Sequence, residues 1–237
     1  MKKVLLITAI ALFLNEGVSA QKAASGDLTL EGQVSLWGPT QVVAPIIRAR
    51  YFLSDDLAAR VQLGYFSNSS TTNFAENPDG TGGTGSVTRT NSLFDLRLGA
   101  EKHFGENDRF SPYFGAEFMF GIGSATESWS NAAGLGGGYD ANTSATITGG
   151  WGPGGNPQYA PGSRIGLNLI VGADYYIFEQ LYVGAEFGYG FMSLSGSDEV
   201  AEVSVGGTTN KFVSPGGSSN SLGMYNMVGG LRVGMKF

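Results

Sequence analysis

The 237-residue chain contains no cysteine and only one histidine, His103. The absence of cysteine excludes disulfides, thiolate zinc sites, cysteine nucleophiles and a lipid-modified N-terminal cysteine. A single histidine without cysteine offers no set of metal ligands, so we expect no metal and no cofactor. Charged residues are also scarce, at 14%, and the net charge of -6 argues against nucleic acid as a partner, because such a partner requires a basic face.

Long apolar runs are missing after the first twenty residues, MKKVLLITAIALFLNEGVSA. That segment has two lysines, an apolar run and the small residues Ser19 and Ala20, which is the layout of a secretory signal peptide. The run is about half of the ~20 residues that a membrane-spanning helix needs, so a retained anchor is the weaker alternative. We therefore predict a signal peptide at residues 1–20 and one β-barrel domain at residues 21–237.

Glycine and aromatic residues are abundant, with 38 glycines and 12% aromatics, which favours a β-rich protein with many turns. Apolar residues recur at every second position in eight segments, each about as long as the 9–11 residues of a tilted membrane-spanning strand or a little longer. These segments are Leu28–Trp37, Val43–Phe52, Leu57–Phe66, Ser92–Glu101, Pro112–Gly123, Arg164–Ile177, Leu181–Met192 and Gly223–Phe237. The pattern predicts an all-β fold, an eight-stranded antiparallel up-and-down transmembrane β-barrel, which leaves no open sheet edge in lipid.

The connections between these segments alternate in length. Those at 53–56, 103–111 and 178–180 are short, whereas those at 67–91, 124–163 and 193–222 are long and rich in Gly, Ser, Thr and Asn. The connection at 38–41 is short and breaks the alternation. Short turns at one rim and long loops at the other are typical of outer-membrane barrels. Three aromatic residues on the second long loop are candidate contacts for an extracellular ligand: Tyr139, Trp151 and Tyr159.

The polar face of the predicted strands carries as many bases as acids. The acids are Glu31, Asp95, Glu101, Glu117, Asp174 and Glu186, and the bases are Arg48, Arg50, Arg60, Arg97, Arg232 and Lys236. A solvated surface does not require equal numbers of acids and bases, whereas charges inside a narrow barrel must be paired. The apolar face carries one charge, Lys102, next to a turn. We therefore place the polar face in the lumen, which eight strands leave only wide enough for side chains to fill.

The last segment alternates apolar residues and ends in phenylalanine. The residues of this pattern are Tyr225, Met227, Leu231, Val233, Met235 and Phe237. The pattern resembles the signal by which outer-membrane barrels are recognised for assembly. The mature chain as a whole resembles the small outer-membrane β-barrel family that includes the barrel of outer membrane protein A and barrels of the outer membrane protein X type. The resemblance implies a Gram-negative outer membrane, surrounding lipid, recognition by the barrel assembly machinery, periplasmic termini and extracellular loops.

Three classes of function remain for such a barrel. The first is a non-enzymatic protein that serves envelope structure or surface interaction and adhesion, with its lumen closed by the charges. The second is a narrow channel for small solutes, which the paired charges in a narrow lumen disfavour. The third is an outer-membrane enzyme that modifies lipid or cleaves protein. His103 argues against the enzyme, because we place it in a short, solvated turn at the periplasmic rim.

The signal-peptide interpretation predicts that protein isolated from outer membranes begins at Gln21, because signal peptidase cuts after small residues such as Ala20. Intact-mass measurement of the purified protein checks this. Ala20→Leu should leave the precursor uncut, whereas Gln21→Leu should be processed normally. A mature protein that retains Met1 would contradict the interpretation.

Overall fold

The computed structural model describes residues 21–35, 46–134, 137–150, 160–223 and 229–237. Twelve strands lie in these ranges: β1 Leu28–Ser35, β2 Ile46–Ser54, β3 Leu57–Ala75, β4 Thr84–His103, β5 Phe110–Ala132, β6 Tyr139–Thr148, β7 Gly162–Tyr176, β8 Leu181–Gly196, β9 Glu199–Val205, β10 Thr208–Ser214, β11 Ser218–Leu222 and β12 Gly229–Lys236. Within the same ranges, no helix has the length and hydrophobicity to span a membrane. The predicted signal peptide and the connection at 38–41 lie outside the described residues.

Eight of the strands close into a ring. The order around it is β1, β2, β3, β4, β5, β7, β8 and β12, and every neighbouring pair is antiparallel. The ring closes where β12 pairs with β1, with Leu30 opposite Met235. Beyond this pairing, the Phe237 amide donates to the Leu28 carbonyl at 2.8 Å. The predicted eight-stranded antiparallel barrel is therefore confirmed.

Each barrel strand has an apolar face that points outward. On β7, Ile165, Leu167 and Leu169 are all at least half exposed, whereas Asn168 and Asp174 on the opposite face are buried. Large exposed apolar side chains recur in this way on neighbouring strands, so the ring carries an apolar band on its outside. Such a band is what a membrane-spanning barrel presents to hydrocarbon. The predicted assignment of the two faces thus agrees with the burial pattern.

The two ends of the barrel differ. At one end, here called the turn end, short connections at 55–56, 104–109 and 177–180 join the strands. At the other end, here called the wall end, β3, β4 and β5 continue beyond the apolar band, β6 pairs with the outer part of β5, β9 pairs with β6, and β10 pairs with β9. We call this extension the outer wall; it comprises residues 67–75, 84–92, 124–132, 139–148 and 199–214.

The outer wall corrects the prediction of long loops at 67–91, 124–163 and 193–222, since much of each is β-strand. The prediction missed these strands because both of their faces carry many small polar residues, so the contrast between apolar and polar positions is weak. Threonine nevertheless favours extended backbone because it is β-branched. In β3, for example, the segment SNSSTTN pairs residue by residue with β4 from Ser67 to Asn73.

Close packing inside the ring depends on glycine at certain inward positions. A Cβ at Gly234 on β12 would overlap the buried Tyr182 ring on β8, whereas a Cβ at Gly32 on β1 meets no atom within 4 Å. Gly234→Ala should therefore lower the free energy of unfolding by about 1–3 kcal/mol, the usual effect of overpacking. Urea unfolding of the barrel in lipid vesicles measures the effect. Gly32→Ala is the matched control, and equal midpoints for the two variants would contradict the packing described.

Candidate functional site

The lumen is lined by arginines that neighbouring strands bring together. Arg48 and Arg50 occupy alternate positions of β2, and the intervening Ala49 and flanking Tyr51 point away from the lumen. The register places Arg50 directly opposite Arg60 of β3. Like charges in directly opposite positions destabilise a sheet, so carboxylates must lie between the two guanidinium groups.

Glu101 of β4 supplies one such carboxylate. Its two oxygens lie 3.0 Å from Arg50 Nη1 and 2.6 Å from Arg60 Nη1. Arg50 also approaches Asp174 of β7 at 2.7 Å and Glu31 of β1 at 2.6 Å. The Arg50 guanidinium thus joins four strands around the ring, and no part of its side chain is exposed.

Two further arginines complete this group of ion pairs. Arg232 of β12 contacts Glu31 at 2.8 Å and Asp174 at 2.6 Å, so it shares both carboxylates with Arg50. Arg48 contacts Glu186 of β8 at 2.8 Å. Each of these side chains is at most 1% exposed. A buried charge without a partner would cost several kcal/mol, so the arginines and acids stabilise the ring only as a set.

Glu186 is the most heavily bonded acid near the middle of the lumen. It accepts bonds from Arg48 and from Arg60, whose Nη1 lies at 2.8 Å. The Tyr113 hydroxyl donates a third bond, at 2.6 Å. Arg48 also donates to the side-chain carbonyl of Gln62 at 2.7 Å. Neutral side chains thus satisfy the donors and acceptors that the ion pairs leave unused, as buried polar groups require.

The wall end of the charge network is less enclosed. Arg97 of β4 pairs with Asp95 at 2.7 Å and with Glu117 of β5 at 3.1 Å, and the side chains of Arg97 and Asp95 are each 15% exposed. Asn168 donates to Glu117 at 3.0 Å. Arg164 of β7 is buried at this end and donates to the Ala160 carbonyl at 2.8 Å. Water therefore reaches the ion pair of Arg97 with Asp95 but not the central ion pairs.

A segment before β1 covers the turn end of the lumen. Ala23 is 2% exposed and packs in a cluster with Phe52, Ala58, Tyr176 and Tyr182, all of them inward-facing residues next to the short turns. The Lys22 amide donates to the Asp108 carbonyl at 2.6 Å, which carries the segment across to the turn between β4 and β5. Residues at the rim of an uncovered barrel would contact water. The burial of these four side chains is therefore due to the covering segment.

His103 does not lie in a solvated turn, which corrects the prediction. It is the last residue of β4, is 4% exposed, and faces the lumen. Its Nδ1 lies 2.9 Å from the Ser111 hydroxyl and its Nε2 lies 3.3 Å from the Glu101 carboxylate. The strand continues two residues beyond the predicted segment, and the alternation that turns Glu101 inward also turns His103 inward.

Lys236 also departs from its predicted place in the lumen. Its ammonium lies at the rim of the turn end, 3.5 Å from the Asp27 carboxylate and 3.3 Å from the Gln21 carbonyl. Arg164 replaces Lys236 as the sixth base of the lumen, so the predicted equality of acids and bases still holds. The sequence interpretation missed Arg164, although it alternates inward together with Asn168 and Asp174.

Lys102, the one charge on the apolar face, donates to Asp56 in the adjacent turn. Bonds from Lys102 and from the Ser54 hydroxyl lower the pKa of Asp56 below its ordinary value.

Other lumen residues were missed because they carry no formal charge. The Tyr182 ring lies 5.2 Å from the Arg50 guanidinium carbon, and the Tyr113 ring lies 5.2 Å from that of Arg232. These distances allow cation–π attraction to both arginines. Arg89 and Glu127, which form an ion pair at 3.1 Å inside the outer wall, are charged and were missed for another reason, because they lie in segments predicted as long loops. In the sequence, only their inward position in the alternation could have indicated that these residues lie in the interior.

The remaining predicted residues divide between the described and the undescribed parts of the chain. Leu231 and Val233 point outward on β12, Met235 is half-buried, and Phe237 is exposed. Tyr139 begins β6 and packs over Gly83 in the turn between β3 and β4, so it is part of the outer wall. Tyr225, Met227, Trp151 and Tyr159 lie outside the described residues. The described ranges contain no group of three or more His, Asp or Glu side chains that could hold a metal ion.

The chain matches one family model, and several solved structures are remotely similar to it. Residues 40–191 match the putative OmpA-OmpF-like porin family. The N-terminal β-barrel domain of Pseudomonas aeruginosa OprF is 14% identical, with 91% of this chain and 100% of that chain covered and a TM-score of 0.34. The outer membrane protein OprG of the same organism is 12% identical, with 92% and 99% covered and a TM-score of 0.40. A major outer membrane protein from Thermus thermophilus is 13% identical, with 89% and 98% covered and a TM-score of 0.42. No curated protein matches significantly.

The shared carboxylates predict a large effect of removing one arginine. Arg232→Met should lower the free energy of unfolding by about 3–5 kcal/mol, because it leaves Glu31 and Asp174 with too few positive partners in a buried place. Urea unfolding in lipid vesicles measures the loss. Lys211→Met is the matched control: it breaks a pair with Glu202 in which both side chains are more than half exposed, and should cost less than about 1 kcal/mol. Similar losses for the two variants would mean that the lumen charges are solvated.

Proposed function

We propose that this chain, which belongs to the putative OmpA-OmpF-like porin family, is a non-enzymatic outer-membrane β-barrel with a lumen closed by charges. Its role is envelope structure or surface interaction, in which the barrel anchors the outer wall. The observation that carries this proposal is the set of ion pairs joining Arg48, Arg50, Arg60 and Arg232 to carboxylates from five different strands across the ring.

The size of these side chains supports a closed lumen. An eight-stranded ring has room for little more than the side chains that line it, whereas water-filled porins have about 16–18 strands. The largest fully buried side chains of the described residues include Arg48, Arg50 and Arg232. The segment around Ala23 covers the turn end as well. A solute would have to displace both the covering segment and several ion pairs at once.

A catalytic role finds no support in the surroundings of His103. The pairing of Ser111, His103 and Glu101 has the residue types of a hydrolytic triad, but Ser111 and His103 are each at most 4% exposed, and Glu101 is engaged by two arginines. A substrate would need to enter beneath the covering segment. We therefore assign the three residues a structural role that fixes the turn end of β4 and β5.

The proposed orientation places the turn end in the periplasm and the outer wall outside the cell. Export through the signal peptide at residues 1–20 and recognition of the terminal strand by the barrel assembly machinery belong to this proposal. The outward positions of Leu231, Val233 and Phe237 support such recognition, since they offer an apolar ridge to another protein or to lipid. Surface ligands would meet the outer wall first.

A narrow channel is the second candidate. The family to which the chain belongs favours it, and so does the partial exposure of the Arg97 and Asp95 side chains, through which water enters the wall end of the lumen. Under this alternative the central ion pairs would have to exchange partners to let an ion pass.

Planar-bilayer recording separates the two candidates. The wild-type barrel should give at most small and irregular currents, because its lumen side chains leave no continuous aqueous path. The double variant Arg50→Ala, Glu31→Ala removes one positive and one negative side chain, and should show measurable openings. Removal of the exposed pair with Lys211→Ala, Glu202→Ala is the control and should not change the currents. Large stable openings in the wild type would contradict the closed lumen.

A further inference from the structure

A small cleft lies at the wall end of the barrel, where β8 leads into β9. Residues in the ranges 160–161, 194–199 and 214–217 line it, together with Gly150. The volume of the cleft is about 520 Å³, including the part that is open to solvent. Among its described lining residues, Glu199 is the one with a charged side chain. We call it the Glu199 cleft.

Backbone hydrogen bonds join the segments that form the cleft. The Gly196 amide donates to the Gly217 carbonyl at 2.7 Å, and the Ser197 amide donates to the Pro161 carbonyl at 3.2 Å. These bonds connect the end of β8 to the residues before β7 and to the residues before β11. The cleft is therefore a built part of the fold, and these backbone groups are already satisfied within the protein.

Glycine allows the segments to approach one another closely. A Cβ at Gly216 would overlap the Gly196 carbonyl, and a Cβ at Gly150 would overlap the Glu199 carboxylate. A side chain at either glycine would therefore push the walls of the cleft apart or displace the acid.

Glu199 has no partner among the described residues. Its side chain is half-buried, and it forms no ion pair or hydrogen bond with any of them. Glu202, three residues along β9, lies on the opposite face of the strand and pairs with Lys211 at 3.0 Å. Enclosing a carboxylate costs free energy unless a cation or a hydrogen-bond donor reaches it. The cleft thus has an unused negative charge, which favours a cationic ligand.

Two hydroxyl groups of the cleft offer further acceptors. Ser214 of β10 is the direct cross-strand partner of Glu199, so the two side chains lie on the same face of the sheet. Ser197 lines the cleft two residues before Glu199. Neither hydroxyl bonds to a described residue. A primary ammonium group has three N–H donors on a compact head, which matches one carboxylate and two hydroxyl oxygens.

A metal ion suits the cleft less well than an ammonium group. Calcium takes about 6–8 oxygen ligands, and magnesium requires a nearly ideal octahedron. The neighbouring acid, Asp198, already accepts a hydrogen bond from the Gly216 amide at 2.8 Å. One unused carboxylate and two hydroxyl groups do not complete such a ligand set.

The inner end of the cleft is apolar. Leu194, Ala160 and Pro161 line it, and all three are buried. Arg164 is the cross-strand partner of Leu194 on β7 and donates to the Ala160 carbonyl, so a positive charge lies behind this end. Repulsion from Arg164 directs a bound cation toward Glu199, and the apolar part of the ligand toward Leu194.

We propose that the Glu199 cleft binds a small primary alkylammonium ion, with its charged head at Glu199 and its alkyl chain against the apolar end. The net charge of -6 attracts cations to the protein in general. Leu194 is an inward residue of β8, so the cleft opens inside the outer wall and the ligand is a free solute, not a membrane lipid. This inference goes beyond the proposed function and depends neither on the orientation of the barrel nor on the closure of the lumen.

NMR titration of the mature full-length barrel tests the proposal, with n-butylammonium as the probe. The barrel is held in phosphatidylcholine nanodiscs, because that lipid has no primary ammonium group to compete. The amide signals of Gly196 and Gly217 should shift in a saturable way, since both residues line the cleft. 1-Butanol has the same shape without the charge. It should bind at least about tenfold more weakly, the difference expected for one charge-assisted hydrogen bond.

Glu199→Gln removes the charge and keeps the size of the side chain. It should fold normally, because Glu199 has no described partner to lose, and its affinity for n-butylammonium should fall about tenfold while its affinity for 1-butanol stays the same. Glu202→Gln, on the opposite face of β9, is the matched control and should bind like the wild type.

Three results would overturn the proposal. They are an unchanged affinity of Glu199→Gln for n-butylammonium, equal affinity of the wild type for the ammonium and the alcohol, and saturable displacement of n-butylammonium by sodium or calcium ions at constant ionic strength. The second and third results are measured on the wild type, so they test the cleft even if a variant folds poorly.

Discussion

Every other feature of this barrel depends on the pairing of buried arginines with carboxylates inside a closed ring. Eight tilted strands leave a lumen into which alternate side chains must point, and in this chain many of those side chains are charged. Arg50 and Arg232 share Glu31 and Asp174, so the removal of one group affects several partners at once. The pairing allows the membrane-facing side of the barrel to be apolar except for Lys102 next to a turn, because the charges that the strands carry at membrane depth are satisfied internally.

The two faces of the strands could be predicted from the sequence because their alternation is strict. Apolar residues at every second position of β7 and β12 identified the lipid face, and the equal numbers of acids and bases identified the lumen. Arg164 was missed because it begins a segment, where boundaries are least certain, although its alternation with Asn168 was visible. The burial of His103 could not be predicted, because a two-residue extension of β4 decides between a solvated turn and a packed lumen.

The outer wall was harder to predict for a different physical reason. Strands reveal themselves in sequence through contrast between their faces, and a strand with Ser and Thr outward and small or polar residues inward has little contrast. The segments around Thr71 and Thr146 were therefore predicted as loops. Their backbone hydrogen bonds to strands that continue out of the barrel, β4 for the segment around Thr71 and the outer part of β5 for the segment around Thr146, are what make them strands. The ion pairs of the lumen and the polar wall are thus linked through continuous strands that begin in the membrane.

A closed lumen requires that its arginines are paired with carboxylates and shielded from water. Hydrogen exchange of individual guanidinium protons, followed by NMR on the barrel in lipid, tests it most directly. We expect the guanidinium protons of Arg48, Arg50 and Arg232 to exchange orders of magnitude more slowly than those of Arg89, whose side chain is 30% exposed at the inside of the outer wall. Exchange of all four guanidinium groups at a similar rate would contradict a closed, dry lumen.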